Sequence, residues 1–138
     1  MANWQWFGRI HTRIYRATSG RIGGNLIGLD MLLLTTTGRK SGLLRTTPMP
    51  YYRDGEAWVI VGSNGGEATN PAWLANLRSH TEAEIQVRGE SHRVTSRIAT
   101  PEERTRLWPE LKRWNKNYQR YEAKTDREIP IVLLEPSP

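Results

Sequence analysis

Apolar positions along the chain recur first at helical spacing and then at strand spacing, and the changes of period mark the element boundaries. Over residues 4–17, Trp4, Phe7, Ile10, Ile14 and Tyr15 fall on one side while Arg9, Arg13 and Arg16 gather opposite, which predicts an amphipathic helix. Such a face can pack on a core or lie on an anionic membrane. The glycine-rich stretch Ser19 to Gly24 reads as a loop. From Met31 the chain turns apolar and then β-branched, predicting a strand over Met31–Thr37, a turn at Gly38-Arg39-Lys40-Ser41-Gly42 and a second strand over Leu43–Tyr52. Pro48 and Pro50 share one hydrogen-bonding edge of that strand, which puts it at the rim of a sheet or at a bulge. Asp54-Gly55 predicts a tight turn into Ala57–Gly62, making three strands in an antiparallel meander that Gly65 and Gly66 end.

The second half repeats strand and helix signals. Asn70 is the expected cap of a helix with Pro71 at its first position and Trp73, Leu74 and Leu77 on one face. Arg88-Gly89-Glu90 joins strands over Ala83–Val87 and Ser91–Ile98. Thr100-Pro101-Glu102-Glu103 is a capping box that opens a helix to about Trp114, and Pro130–Leu134 reads as a closing strand. Five or six antiparallel strands without βαβ alternation predict an α+β fold, a small barrel with helices packed around it. At 138 residues the chain has room for one core of this size, residues 25–138, preceded by the helix and loop of residues 1–24.

Composition narrows the chemistry. The chain has no cysteine, which removes thiolate metal sites and thiol nucleophiles, and His11, His80 and His92 lack the spacing of a helical zinc site, so no metal is expected. No apolar run approaches the roughly 20 residues of a spanning helix and no signal-peptide core opens the sequence, so a cytoplasmic protein is expected, not a secreted or membrane-spanning one. The net charge is +6, and all of that excess lies in residues 1–50, where seven Lys and Arg face Asp30 alone. A one-sided excess of this kind implies an acidic partner.

Three stretches are candidates for the site. In Gly38-Arg39-Lys40-Ser41-Gly42 the glycines of a nucleotide P-loop are missing, yet a turn presenting Arg39, Lys40 and Ser41, with Arg45 close behind, is a sound anion cradle. The glycines of Gly62-Ser63-Asn64-Gly65-Gly66 allow a ligand close to the backbone, whose N–H groups can face a phosphate or an electron-rich ring. Trp114, Tyr118 and Tyr121 share one helical face in a segment with hardly any aliphatic residue, and serve either as core or as a pocket wall.

Together with Leu32-Leu33-Leu34-Thr35-Thr36-Thr37 before the first turn, Arg45-Thr46-Thr47-Pro48, Asn70-Pro71-Ala72-Trp73 with Asn76-Leu77, and Tyr121 to Pro130, these stretches resemble the deazaflavin (coenzyme F420)-dependent nitroreductase family. The resemblance runs from about Tyr15 to Glu135. It implies a split β-barrel and an oxidoreductase that moves a hydride from reduced F420 to a quinone, nitroaromatic or activated enone. It further implies that the cofactor's phosphate and oligoglutamate tail meet Arg39, Lys40, Ser41 and Arg45. The ring is then expected along Val61, Gly62, Ser63 and Asn64, near Ala72, Trp73 and Asn76, with substrate between it and Tyr118 and Tyr121. Water, or a hydroxyl such as Tyr118 or Ser63, would supply the proton. Asn64 stands where relatives often carry lysine. A membrane-bound quinone would suit peripheral contact through residues 4–17, on the inner face of the plasma membrane. An FMN-binding split barrel is the alternative within the fold. A basic nucleic-acid-binding module is the alternative outside it, disfavoured because residues 31–50 carry no aromatic side chain to stack on bases.

Overall fold

A computed structural model describes residues 29–138. The helix expected over residues 4–17 and the loop after it lie outside them. Seven strands run through the described residues: β1 (Met31–Thr37), β2 (Leu44–Pro50), β3 (Tyr52–Asp54), β4 (Ala57–Val61), β5 (Glu82–Val87), β6 (Glu90–Ile98) and β7 (Ile131–Pro136). Three helices, α1 (Ala72–Ser79), α2 (Pro101–Trp114) and α3 (Asn117–Lys124), pack around them. All pairings are antiparallel, in the spatial order β2-β1-β5-β6-β7-β4-β3.

The expected meander breaks at one residue. β2 and β3 are the two edges of the sheet, yet only Tyr51 separates them in sequence, so the sheet curls until its edges meet at that corner. Tyr51 is buried there and donates its backbone N–H to the Asp30 carbonyl at 3.0 Å. The rim position expected from Pro48 and Pro50 is where β2 lies, paired with β1 alone. At the other rim the Asp54-Gly55 turn closes as expected, with Gly55 at φ +61 and Asp54 paired to Ala57.

Because side chains alternate across a strand, the curled sheet has two apolar faces. Leu32, Leu34, Trp58, Ile60, Ile85, Val94, Val132 and Leu134 point inward, where Leu74 and Leu77 of α1 close the barrel. Val59, Ile131 and Leu133 point outward and are covered by Leu107, Trp108 and Leu111 of α2 and Tyr118 of α3. α2 starts where its capping box predicts: Thr100 accepts from the Glu103 N–H, and Glu103 reaches back to the Thr100 N–H. α2 also stops where expected, so Trp114 does not share a helix with Tyr118 and Tyr121. Asn115 is extended at φ −131, and its Oδ1 accepts from the Asn117 N–H to start α3. The three rings still meet, with centroids 6.1 Å apart for Trp114 and Tyr118 and 6.4 Å for Tyr118 and Tyr121.

Candidate active site

The turn between β1 and β2 is a tight, self-bonded structure. Gly38 N–H donates to the Leu43 carbonyl at 2.7 Å, Gly42 N–H to the Gly38 carbonyl at 2.8 Å, and Leu43 N–H to Ser41 Oγ at 3.1 Å. A side chain at Gly38 would stand 2.7 Å from Ser41 Oγ, so this position has no room for one. Asn76 of α1 fixes the turn from the side: its Oδ1 accepts from the Arg39 N–H at 3.0 Å, and its Nδ2 donates to Thr36 Oγ1 at 3.1 Å. Asn76 is buried, and its side chain serves the scaffold of the turn.

A groove of about 480 Å³ opens between this turn and α1. It is lined by the expected Arg39, Lys40, Ser41 and Arg45, by Ala72, Trp73 and Asn76, and by Gly38, Thr46 and Thr47, which had no assigned role. Arg39, Lys40 and Arg45 are exposed, and none pairs with a carboxylate among the described residues. Three unpartnered cations beside the apolar Trp73 suit a ligand with a polyanionic end and a flat apolar body.

Val61, Gly62, Ser63 and Asn64 lie at the end of β4 and do not line this groove. Gly62 N–H donates to the Pro130 carbonyl at 2.9 Å, and a single 3-10 turn follows over Asn64–Gly66. Gly66, at φ +80, lies against α3: a Cβ there would come within 3.0 Å of the Tyr121 Cα. The second loop and Tyr121 therefore touch. Tyr118 lies deeper, 4% exposed, with its ring 6.0 Å from that of Trp108. Burial pushes its phenol up to about 12, against an opposing hydrogen bond from Asn115.

Sequence reasoning assigned no role to Arg127. Its guanidinium donates from Nη1 to the Gly62 carbonyl at 3.1 Å and to Asn70 Oδ1 at 2.7 Å, from Nη2 to the Ser63 carbonyl at 2.8 Å, and from Nε to the Glu67 carbonyl at 3.0 Å. The expected cap Asn70 thus spends its oxygen on Arg127. α1 begins at Ala72, one residue later than expected, with Pro71 at its N-cap and no side-chain cap.

Residues 6–136 match the family model described as F420H(2)-dependent quinone reductase. The chain belongs to this family. The reductase is therefore an oxidoreductase whose cofactor is coenzyme F420, and the quinone reductases are the family reached where the sequence pointed to the nitroreductases. The FMN and nucleic-acid alternatives give way to it. An F420H(2)-dependent quinone reductase from Mycobacterium tuberculosis is 42% identical over 130 residues, covering 91% of this chain and 87% of its own. The solved structure of an F420-H2 dependent reductase (FDR-A) superposes with a TM-score of 0.70 at 31% identity, covering 77% of this reductase and 94% of that chain. A second structure, described as a domain-swapped dimer, gives the same TM-score at 30% identity and covers 90% and 98%. The expected split barrel is the fold these share. Among the described residues no helix is long and apolar enough to cross a membrane, and no group of three or more His, Asp or Glu could hold a metal.

Proposed function

We propose that this reductase holds the anionic end of F420 on Arg39, Lys40, Ser41 and Arg45, and reduces a quinone on the side of the Gly62–Asn64 loop. What carries the reading is the groove, in which three cations without a carboxylate partner adjoin Trp73 and Ala72. When bound, reduced F420 supplies a hydride, a two-electron donor that asks for little acid–base help. The protein's part is positioning and the exclusion of water. Arg39, Lys40 and Arg45 bind by charge, and Asn76 keeps their turn in shape. The backbone N–H groups of Ser63 and Asn64, which donate to nothing among the described residues, face the ring or the acceptor. Tyr121 forms the substrate wall and Tyr118 backs it. Ser63 Oγ, which makes no hydrogen bond among the described residues, holds the proton that the reduced acceptor takes up. Nitroaromatics and activated enones fall within the same two-electron chemistry.

Ring fluorescence titrated with F420 and with FMN tests the assignment. Charge-assisted contacts contribute about 1.5–3 kcal/mol each, so Lys40→Ala should weaken F420 binding by tenfold or more, and salt should weaken it further. FMN, with a single phosphate, should bind less tightly and respond less to Lys40→Ala. Equal F420 affinity in wild type and variant at low salt would falsify the groove as the tail site.

A further inference from the structure

Resting on that reading, we propose that Arg127 is a positioning residue that aligns the Gly62–Asn64 loop and the start of α1 as one unit. An arginine at a protein surface ordinarily faces solvent or a carboxylate. Arg127 is half-buried and pairs with no carboxylate among the described residues, and burial alone lowers its pKa. Every nitrogen of its fork is used on the loop: three backbone carbonyls, of Gly62, Ser63 and Glu67, and the side-chain oxygen of Asn70. These acceptors span the whole path from the end of β4 to Pro71, the residue before α1. α1 in turn supplies Ala72, Trp73 and Asn76 to the groove.

The chemistry follows from the planarity of the peptide group. In a trans peptide the carbonyl and the N–H point in opposite directions. The carbonyls of Gly62 and Ser63 belong to the peptide groups whose N–H groups are those of Ser63 and Asn64. Drawing both carbonyls onto one cation therefore turns both N–H groups away from it, and those two have no acceptor among the described residues. The positive charge on the carbonyl side also polarises each peptide, making its N–H a better donor to an oxygen or nitrogen of a bound ring. Residues beside Arg127 anchor the other side of the loop. Lys124 Nζ is 3.4 Å from the Gly65 carbonyl, and Gly62 N–H is held by Pro130. Among the described residues no other basic side chain donates to the Gly62, Ser63 or Glu67 carbonyl. Lysine has the charge without the fork and cannot span four acceptors.

The test measures backbone amide hydrogen exchange in the full-length protein without cofactor, and F420 affinity by fluorescence, for wild type, Arg127→Met, Arg127→Lys and Asn70→Ala. In both Arg127 variants, exchange at Gly62, Gly66 and Glu67 should rise by about tenfold or more, while exchange at Ser96, which donates to Thr81 beside the β5–β6 ladder, stays at the wild-type rate. F420 affinity should fall by a similar factor, and millimolar guanidinium should restore it in Arg127→Met but not in Arg127→Lys. Asn70→Ala removes one of the four contacts and should show a smaller change in the same direction. If Arg127→Met fails to fold, Asn70→Ala still decides the matter. Unchanged loop exchange, or a loosened loop with F420 affinity intact, would overturn the proposal. If wild type itself does not bind F420, the cofactor reading falls separately, and the exchange rates still show whether Arg127 holds the loop.

Discussion

A tyrosine that serves an acceptor has to reach it with its hydroxyl, and burial divides the two late tyrosines on that criterion. Tyr118 is 4% exposed among Leu107, Trp108 and Leu111, whereas Tyr121 stays partly exposed against Gly66. Tyr121→Phe should therefore lower turnover on a quinone while leaving F420 affinity unchanged. Tyr118→Phe keeps the buried ring and should cost little in rate, but Tyr118→Ala should lower stability by about 3–5 kcal/mol. Steady-state kinetics beside urea unfolding separates the two, and a tenfold loss of turnover in a fully folded Tyr118→Phe would reverse the assignment. Glu84 shows the same logic of burial in stability. It is 1% exposed on β5, in register with Thr35 and Arg93, and burial pushes its carboxyl up to about 7 against a hydrogen bond from Ser91. The folded state then holds the proton more tightly than the unfolded chain. The contribution of Glu84 to stability is full below about pH 4.5 and is lost as pH rises through 7. Glu84→Gln lacks this dependence, so between pH 5 and pH 8 its stability should gain on wild type by on the order of 2 kcal/mol. Parallel pH curves for the two proteins would count against a raised Glu84.

Between elements, the contact that joins the second loop to α3 has no slack. Gly66 combines φ +80 with a position where a Cβ would meet Tyr121 backbone atoms at 3.0 and 3.1 Å. Helix backbone cannot yield as a flexible side chain can. Gly66→Ala should lower stability by about 1–3 kcal/mol and weaken F420 binding, because α3 and the loop must separate. An unchanged melting temperature would show that the loop moves freely against α3. Elements whose signals are local were legible in the sequence. β1 carries its own signal in an apolar run followed by β-branched threonines, the Arg88-Gly89 turn has both residues at positive φ, and the α2 capping box closes on itself. The basic turn was also legible as a candidate, because charge and glycine spacing need no distant partner, whereas Ala72, Trp73 and Asn76, which line the same groove, came from the family resemblance. What escaped depends on groups far apart in sequence. Nothing near Tyr51 says that β2 and β3 end on opposite rims, since that is decided by β5, β6 and β7 filling the space between. Asn70 has the residue type of a cap, and only an arginine 57 positions later takes that role from it. The break at Asn115 had a readable signal in Asn-Lys-Asn, but the helical spacing of the aromatic residues masked it.

On the scale of the whole molecule, the positive excess divides between two tasks. Of the seven cations in residues 1–50, Arg39, Lys40 and Arg45 line the groove, while Arg9, Arg13, Arg16 and Arg21 precede the barrel. The first set suits the cofactor. In the helix expected over residues 4–17, Arg9, Arg13 and Arg16 of the second set fall opposite Trp4, Phe7, Ile10 and Ile14, a pattern that suits an anionic membrane surface, from which a quinone reductase could draw a lipid-soluble acceptor. This peripheral contact is our proposal for residues 4–17. Each basic residue near such a surface contributes about 1 kcal/mol, so the three arginines give at most about 3 kcal/mol, enough for reversible association that salt removes. Full-length protein should therefore pellet with vesicles of mixed phosphatidylserine and phosphatidylcholine at low salt, and not with phosphatidylcholine alone. Arg9→Glu, Arg13→Glu and Arg16→Glu combined should abolish pelleting while leaving F420 affinity as it was, because none of the three lines the groove. If that variant pellets as wild type does, the amphipathic face packs on the protein. If it loses F420 affinity as well, the two sets of cations act together at one site.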